Sequence, residues 1–232
     1  MVFIQQPHKP GIAFADAAKD YLLLLEKKYP KKIILNLIGD HYKLSGLERS
    51  MLYRGITIRK EAGNLSDKLI GTEAIAGSHL HIDGYNSLIT LGSYLNGNLV
   101  FVSNDTFVRD ASEIHGKVFR TVLFNKAILL IFSFLTEFKP SSIQFYFDEP
   151  MSHSGELCAK INELITHYQL SGHAATYKSP DYQLKQIDSG LVASSDSWII
   201  ARCKVPVIDL PALVIDYHFH KPILDIRRYI DE

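Results

Sequence analysis

Cysteine is scarce in this chain: Cys158 and Cys203 are the two among 232 residues. They lack the paired spacing of a zinc site and are too few for a disulfide framework, so both read as buried thiols in a reducing compartment. Net charge is absent as well. Lys+Arg and Asp+Glu number 25 each, which leaves only local basic patches to attract a polyanion. Long apolar runs are missing. The most apolar stretch, residues 127–135, is interrupted by Ser133 and is too short to span a bilayer. The first residues lack a basic segment followed by an apolar core, so no signal peptide is expected. No phosphate-binding loop, dinucleotide fingerprint, nucleophile elbow, internal repeat or low-complexity tract occurs. The expectation is a cytoplasmic protein without a membrane segment. Its 47% hydrophobic content suffices for a full core plus a small appendage.

What is present begins with helical periodicity. Phe14, Ala17, Ala18, Tyr21, Leu22 and Leu25 define one apolar helix face. Pro30 suits the first turn of a second helix with the stripe Ile33, Ile34, Leu37 and Ile38, and Gly39 is its expected stop. Ser45 and Glu48 have capping-box spacing for a third helix, with Leu47, Met51 and Leu52 facing inward. Three short helices with tight turns suit a helix-turn-helix module, and equally a packing or dimerisation appendage. The expected organisation is a helical domain over 1–60, a linker over 61–77 and an α/β domain over 78–232. In that last part strands expected at 79–83, 99–102 (an edge strand), 143–148, 174–177, 191–195 and 205–210 alternate with helices. That alternation implies a mostly parallel sheet with helices on both faces.

Three of these strands end in aspartate. Asp83 follows His79-Leu80-His81-Ile82, Asp148 follows Ile143-Gln144-Phe145-Tyr146-Phe147, and Asp196 follows Leu191-Val192-Ala193-Ser194-Ser195. Asp209 ends a fourth, and Asp181 sits just before Leu184. The carboxyl ends of parallel strands converge on one edge, where ligands bind. Carboxylates gathered there repel one another unless a divalent cation lies between them. Such a cation can generate a nucleophile from water and neutralise a phosphodiester in its transition state. The plainer role for each acid is to cap the helix that follows.

The string Ile82-Asp83-Gly84-Tyr85-Asn86 resembles the opening motif of PIN-like nucleases, especially their NYN branch. Ser194-Ser195-Asp196-Ser197 is similar to that superfamily's late motif, in which an aspartate begins a helix; Asp148 resembles its middle-strand acid and Asp181 the acid of an intervening helix. The likeness spans residues 79–210. The whole chain also resembles an uncharacterised prokaryotic family of unknown function. The PIN-like resemblance implies a Rossmann-like fold and a metal-dependent nuclease acting on nucleic acid, with RNA as the expected substrate. Asp83, Asp148, Asp181 and Asp196 would be the catalytic, metal-holding acids for Mg²⁺ or Mn²⁺. Asn86 would position substrate and Ser194 would orient Asp196. Residues 96–115 form an insertion without a counterpart in that superfamily, and around it Arg109, Lys117 and Arg120 are candidates for phosphate contact.

Two other readings compete. His79, His81 and Asp83 alternate on one strand face, as imidazole metal ligands would, but no second histidine cluster supports them. Tyr42, Tyr53, Tyr85 and Tyr146 are candidates for stacking on bases. The alternative to the enzyme is a catalytically silent nucleic-acid or protein-binding module on the same fold, resting on Arg109, Arg120 and the N-terminal helices. A homodimer is compatible with either.

Overall fold

The computed structural model describes residues 9–111, 122–151 and 153–230. Four helices come first: α1 (Phe14–Glu26), α2 (Lys31–His41), α3 (Gly46–Gly55) and α4 (Arg59–Ser66). After a 3-10 turn follow β1 (His79–Asp83), α5 (Gly84–Leu95), β2 (Val100–Val102) and β3 (Val108–Asp110). Then come α6 (Val122–Phe138), β4 (Ser142–Asp148), α7 (Ser154–His167), β5 (Gly172–Tyr177) and α8 (Pro180–Gln186). The remainder is β6 (Leu191–Ala193), α9 (Ser197–Arg202), β7 (Val207–Ile208), α10 (Leu210–Phe219) and β8 (Leu224–Asp225), closed by a 3-10 turn. These elements form two compact units: one takes the described residues of Met1–Asp67, Ser93–His115 and Pro222–Glu232, the other those of Lys68–Gly92 and Gly116–Lys221.

The second unit is the expected α/β domain. Its five strands are all parallel and run in the order β5-β4-β1-β6-β7. From β1 the chain steps through β4 to β5 on one side, then returns past β1 to β6 and β7 on the other. Right-handed connections therefore put α7 on one face and α8 and α9 on the opposite one. The three inner strands carry the core of this unit: Leu80, Ile82, Ile143, Phe145, Phe147 and Val192 are all buried. Gly84, where β1 passes into α5, is enforced by packing. A Cβ there would collide with the ring of Phe147, which also meets Tyr85 edge to face at 5.0 Å.

In the first unit α1 buries the predicted stripe Phe14, Ala17, Ala18, Tyr21, Leu22 and Leu25. The Ser45–Glu48 capping box is present in both directions. The second helix differs from expectation. Ile34 and Ile38 are buried, whereas Ile33 and Leu37 are 62% and 59% exposed, so the inward stripe is narrower than the apolar one. Nor does Gly39 stop α2, which runs to His41; a Cβ on Gly39 would strike the Arg49 guanidinium. The segment expected as linker holds much of α4. Strand β2 is not at the edge of the main sheet. It is the middle of a separate three-stranded sheet, antiparallel to β3 and parallel to β8. Leu99, Phe101, Ala111, Ile226 and Ile230 join the helical core, so the insertion and the tail complete a unit that the sequence assigned to the first sixty residues alone.

Overpacking a filled core costs about 1–3 kcal/mol, and Gly84→Ala should lose that much in denaturant unfolding. Phe147→Leu in the same background should recover part of the loss; no recovery would mean that the ring is not the obstacle.

Candidate functional site

Strand order reverses between β1 and β6, and in open α/β sheets the crevice beyond the strands' carboxyl ends at such a reversal is where ligands bind. Asp83 closes β1 at this point and is buried. One carboxylate oxygen accepts the Ser194 hydroxyl at 2.9 Å, and the other accepts the Asn86 backbone N–H at 3.4 Å. Ser194 Oγ in turn accepts from the Asp196 backbone N–H at 3.1 Å. The Asn86 side-chain oxygen Oδ1 accepts both the backbone N–H and the hydroxyl of Ser195, at 3.2 and 2.6 Å. The Asp83-Gly84-Tyr85-Asn86 turn and the Ser194-Ser195-Asp196 turn are thus stitched side by side. Ser195 was overlooked in the sequence, although its place beside Ser194 was a usable signal.

The other acids gather by charge. Burial lifts the Asp83 carboxyl from its ordinary 3.8 to about 7; the Ser194 bond opposes this, and the charges of Asp196 and Asp181 push further upward. Asp148, ending β4 half-buried, is raised by desolvation and then by Asp181. Asp181, in the first turn of α8, is raised by desolvation and then by Asp196. Asp196 is exposed and also caps α9, accepting the N–H groups of Trp198 and Ile199 at 2.7 and 3.2 Å. Among the described residues none of the four aspartates forms an ion pair. Asp209 is the buried cap of α10, accepting the Ala212 N–H at 3.0 Å.

Four carboxylates offer oxygen donors alone, the set that hard cations such as Mg²⁺ and Mn²⁺ prefer. Their mutual repulsion is what a divalent cation would relieve. Yet among the described residues no three His, Cys, Asp or Glu side chains make a ready-formed ligand set. The donor chemistry fits a divalent ion, and the side chains would have to draw inward to hold it.

Other candidates fall elsewhere. Arg109 belongs to the first unit and is buried against Asp105 at 2.8 Å. A buried guanidinium needs a counter-charge, and Asp105 supplies it, so the expected phosphate contact is corrected to an internal ion pair. Lys117 and Arg120 lie outside the described residues. The imidazoles of His79 and His81 bond across to β4, to Ser142 Oγ at 2.7 Å and Tyr146 Oη at 2.9 Å. Tyr146 stacks on Tyr177, Tyr85 is buried against Phe147, and Tyr42 donates to Asp20 at 2.6 Å. Of the four tyrosines, Tyr53 keeps the most surface, beneath the Lys31 ammonium.

Fold and edge define a doubly wound α/β domain with aspartates at its switch point. The chain belongs to the family described as Domain of unknown function (DUF5616), whose model matches residues 72–213; a second model, Protein of unknown function (DUF434), matches residues 13–68. It is also similar to Uncharacterized protein MJ0935 of Methanocaldococcus jannaschii, 33% identical over 202 residues that cover 87% of this chain and 96% of that one. No solved structure matches it significantly.

A raised carboxyl pKa means that the folded chain keeps a proton the unfolded chain releases. Stability attributable to Asp83 is therefore fully present below its unfolded value of 3.8 and is lost as pH rises through about 7. In metal-free buffer the melting temperature should fall across that window. Asp83→Asn should remove this part of the fall, melting above wild type near about pH 8 and converging with it near about pH 4. A variant less stable than wild type at the higher pH would count against burial as the cause.

Proposed function

We propose that this protein is a metal-dependent nuclease that hydrolyses phosphodiester bonds, RNA being the expected substrate. One observation carries the reading: Asp83, Asp181 and Asp196 bear on one another's charge at the switch point, Asp148 joins them through Asp181, and among the described residues none of the four forms an ion pair. Asp83, Asp148, Asp181 and Asp196 would hold Mg²⁺ or Mn²⁺, which when bound supplies positive charge to a scissile phosphate and activates water. Ser194 holds one Asp83 oxygen in place. Asn86, its side-chain oxygen fixed by Ser195, would turn its amide N–H groups toward a phosphate oxygen. Burial of Asp83 makes its ionised form costly without a cation and stable beside one.

No helix among the described residues is long and apolar enough to cross a membrane. We place the protein in the cytoplasm, because both of its thiols are buried and unpaired.

A second reading, a catalytically silent binding module on the same fold, is favoured by the helix-capping role that Asp196 already fills. Asparagine and aspartate cap almost equally well, so Asp196→Asn separates the two. Wild type should melt higher with Mn²⁺ than with chelator, since a ligand bound only to the folded chain stabilises it, and it should cleave RNA. Asp196→Asn should keep the metal-free melting temperature, lose the Mn²⁺ response and lose about a hundredfold or more in rate. A wild-type protein with no Mn²⁺ response and no cleavage of RNA or DNA would leave the binding module standing.

A further inference from the structure

Beside the acids lies a group of side chains that the hydrolytic reading does not use. Trp198 and Tyr182 are 42% and 52% exposed, and each follows a candidate ligand closely in sequence, Asp196 and Asp181. The Arg202 guanidinium lies over the indole at 4.3 Å from its ring centre. The Lys185 ammonium lies 4.5 Å from the Tyr182 ring centre and 5.5 Å from that of Trp198. These four residues come from α8 and α9, which pack against each other. Trp198 is anchored through both of its backbone polar groups. Its N–H donates to Asp196 at 2.7 Å, and its carbonyl accepts from Arg202 at 3.2 Å.

Cation–π pairs at a surface are worth about 0.5–1 kcal/mol each, and brace two short helices without implying any ligand. That accounts for the pairs. It does not account for two large aromatic rings left in solvent, joined by one lysine and held next to Asp181 and Asp196. Open aromatic faces among cations are what proteins use to take unpaired nucleotides: bases stack on the rings while the cations meet the phosphates. A duplex offers no such face, because its bases are already stacked on one another.

We propose that Trp198, Tyr182, Lys185 and Arg202 form a docking platform for single-stranded nucleic acid, which seats a base next to the phosphate presented to Asp181 and Asp196. The proposal rests on the nuclease reading for what happens to that phosphate, but not for the binding itself. Stacking on every base alike makes the platform tolerant of sequence, so strandedness rather than base identity sets the substrate class.

Trp198 is the chain's one tryptophan, so its emission reports on the platform directly. The full chain in chelator, where no metal-dependent cleavage occurs, is titrated with short oligouridylate, with oligothymidylate, with a blunt duplex and with polyglutamate. Emission should be quenched saturably by both single strands, less so as salt rises, and left unchanged by the duplex. Binding of labelled oligouridylate, followed by anisotropy, should weaken about tenfold to a hundredfold in Trp198→Ala and recover in Trp198→Tyr. Tyr182→Ala and Lys185→Ala should each weaken it by less. Quenching without Mn²⁺-dependent cleavage would remove the nuclease reading and keep the platform. Cleavage with unchanged emission, and with Trp198→Ala as active as wild type, would keep the nuclease and overturn the platform. Equal quenching by duplex or by polyglutamate, or no binding of any strand, would overturn it too. Should Trp198→Ala fail to fold, the wild-type titration and Trp198→Tyr still decide.

Discussion

A carboxylate buried at the end of a central strand has to be compensated, and much else in the α/β unit depends on how Asp83 is compensated. An isolated buried charge is among the costliest groups a protein can hold. Here the compensation consists of two hydrogen bonds, from Ser194 and from the Asn86 backbone, with no cation among the described residues. Those bonds oblige the turn after β6 to lie against the turn after β1, and Ser195 repeats the constraint through Asn86. Gly84 belongs to the same arrangement, because the Phe147 ring occupies the space its side chain would need. The turn's chemistry and its packing therefore select the same residues, which is the kind of agreement between levels that specifies one structure.

The acids around Asp83 illustrate how one side chain serves two purposes. Asp196 caps α9 with a single oxygen, as its sequence position allows, yet its charge also bears on Asp83 and Asp181. Asp209 has the same local pattern and is buried as the cap of α10. The first unit treats its buried charges differently. Arg109 and Asp105 neutralise each other directly, and Ser103 bonds both Asp105 and the Phe107 carbonyl. A paired interior charge is structural in effect; an unpaired one leaves a demand that a ligand can meet.

The two family matches divide near the point where the first segment of one unit ends. The match over residues 13–68 stops beside the change at Asp67–Lys68, whereas the match over residues 72–213 runs through β2 and β3, which pack with the N-terminal helices. Sequence continuity and spatial grouping thus differ for residues 93–111. The reason is apolar burial: Phe101 and Ile226 fill the space against Gly55, whose missing side chain leaves room for them.

The first three helices, the Ser45 capping box, the parallel strands and the aspartates that follow them are legible in the sequence, whereas α4 is not. Each rests on local information: apolar periodicity of 3.6 or 2, a cap three residues from its partner, a turn after a strand. The inward face of α2, the sheet that β2 joins and the ion pair that takes Arg109 were not legible, because each depends on which distant segment arrives beside it. The same division holds at the site. The sequence by itself determined that acids, a serine pair and an asparagine would stand at strand ends. Only the tertiary structure decided that Asp83 is the one stripped of water, that Ser194, 111 residues away, bonds it, and that Trp198 stays in solvent beside Arg202 and Lys185. Desolvation and the distance between charges belong to the packing of segments, and no single segment carries either.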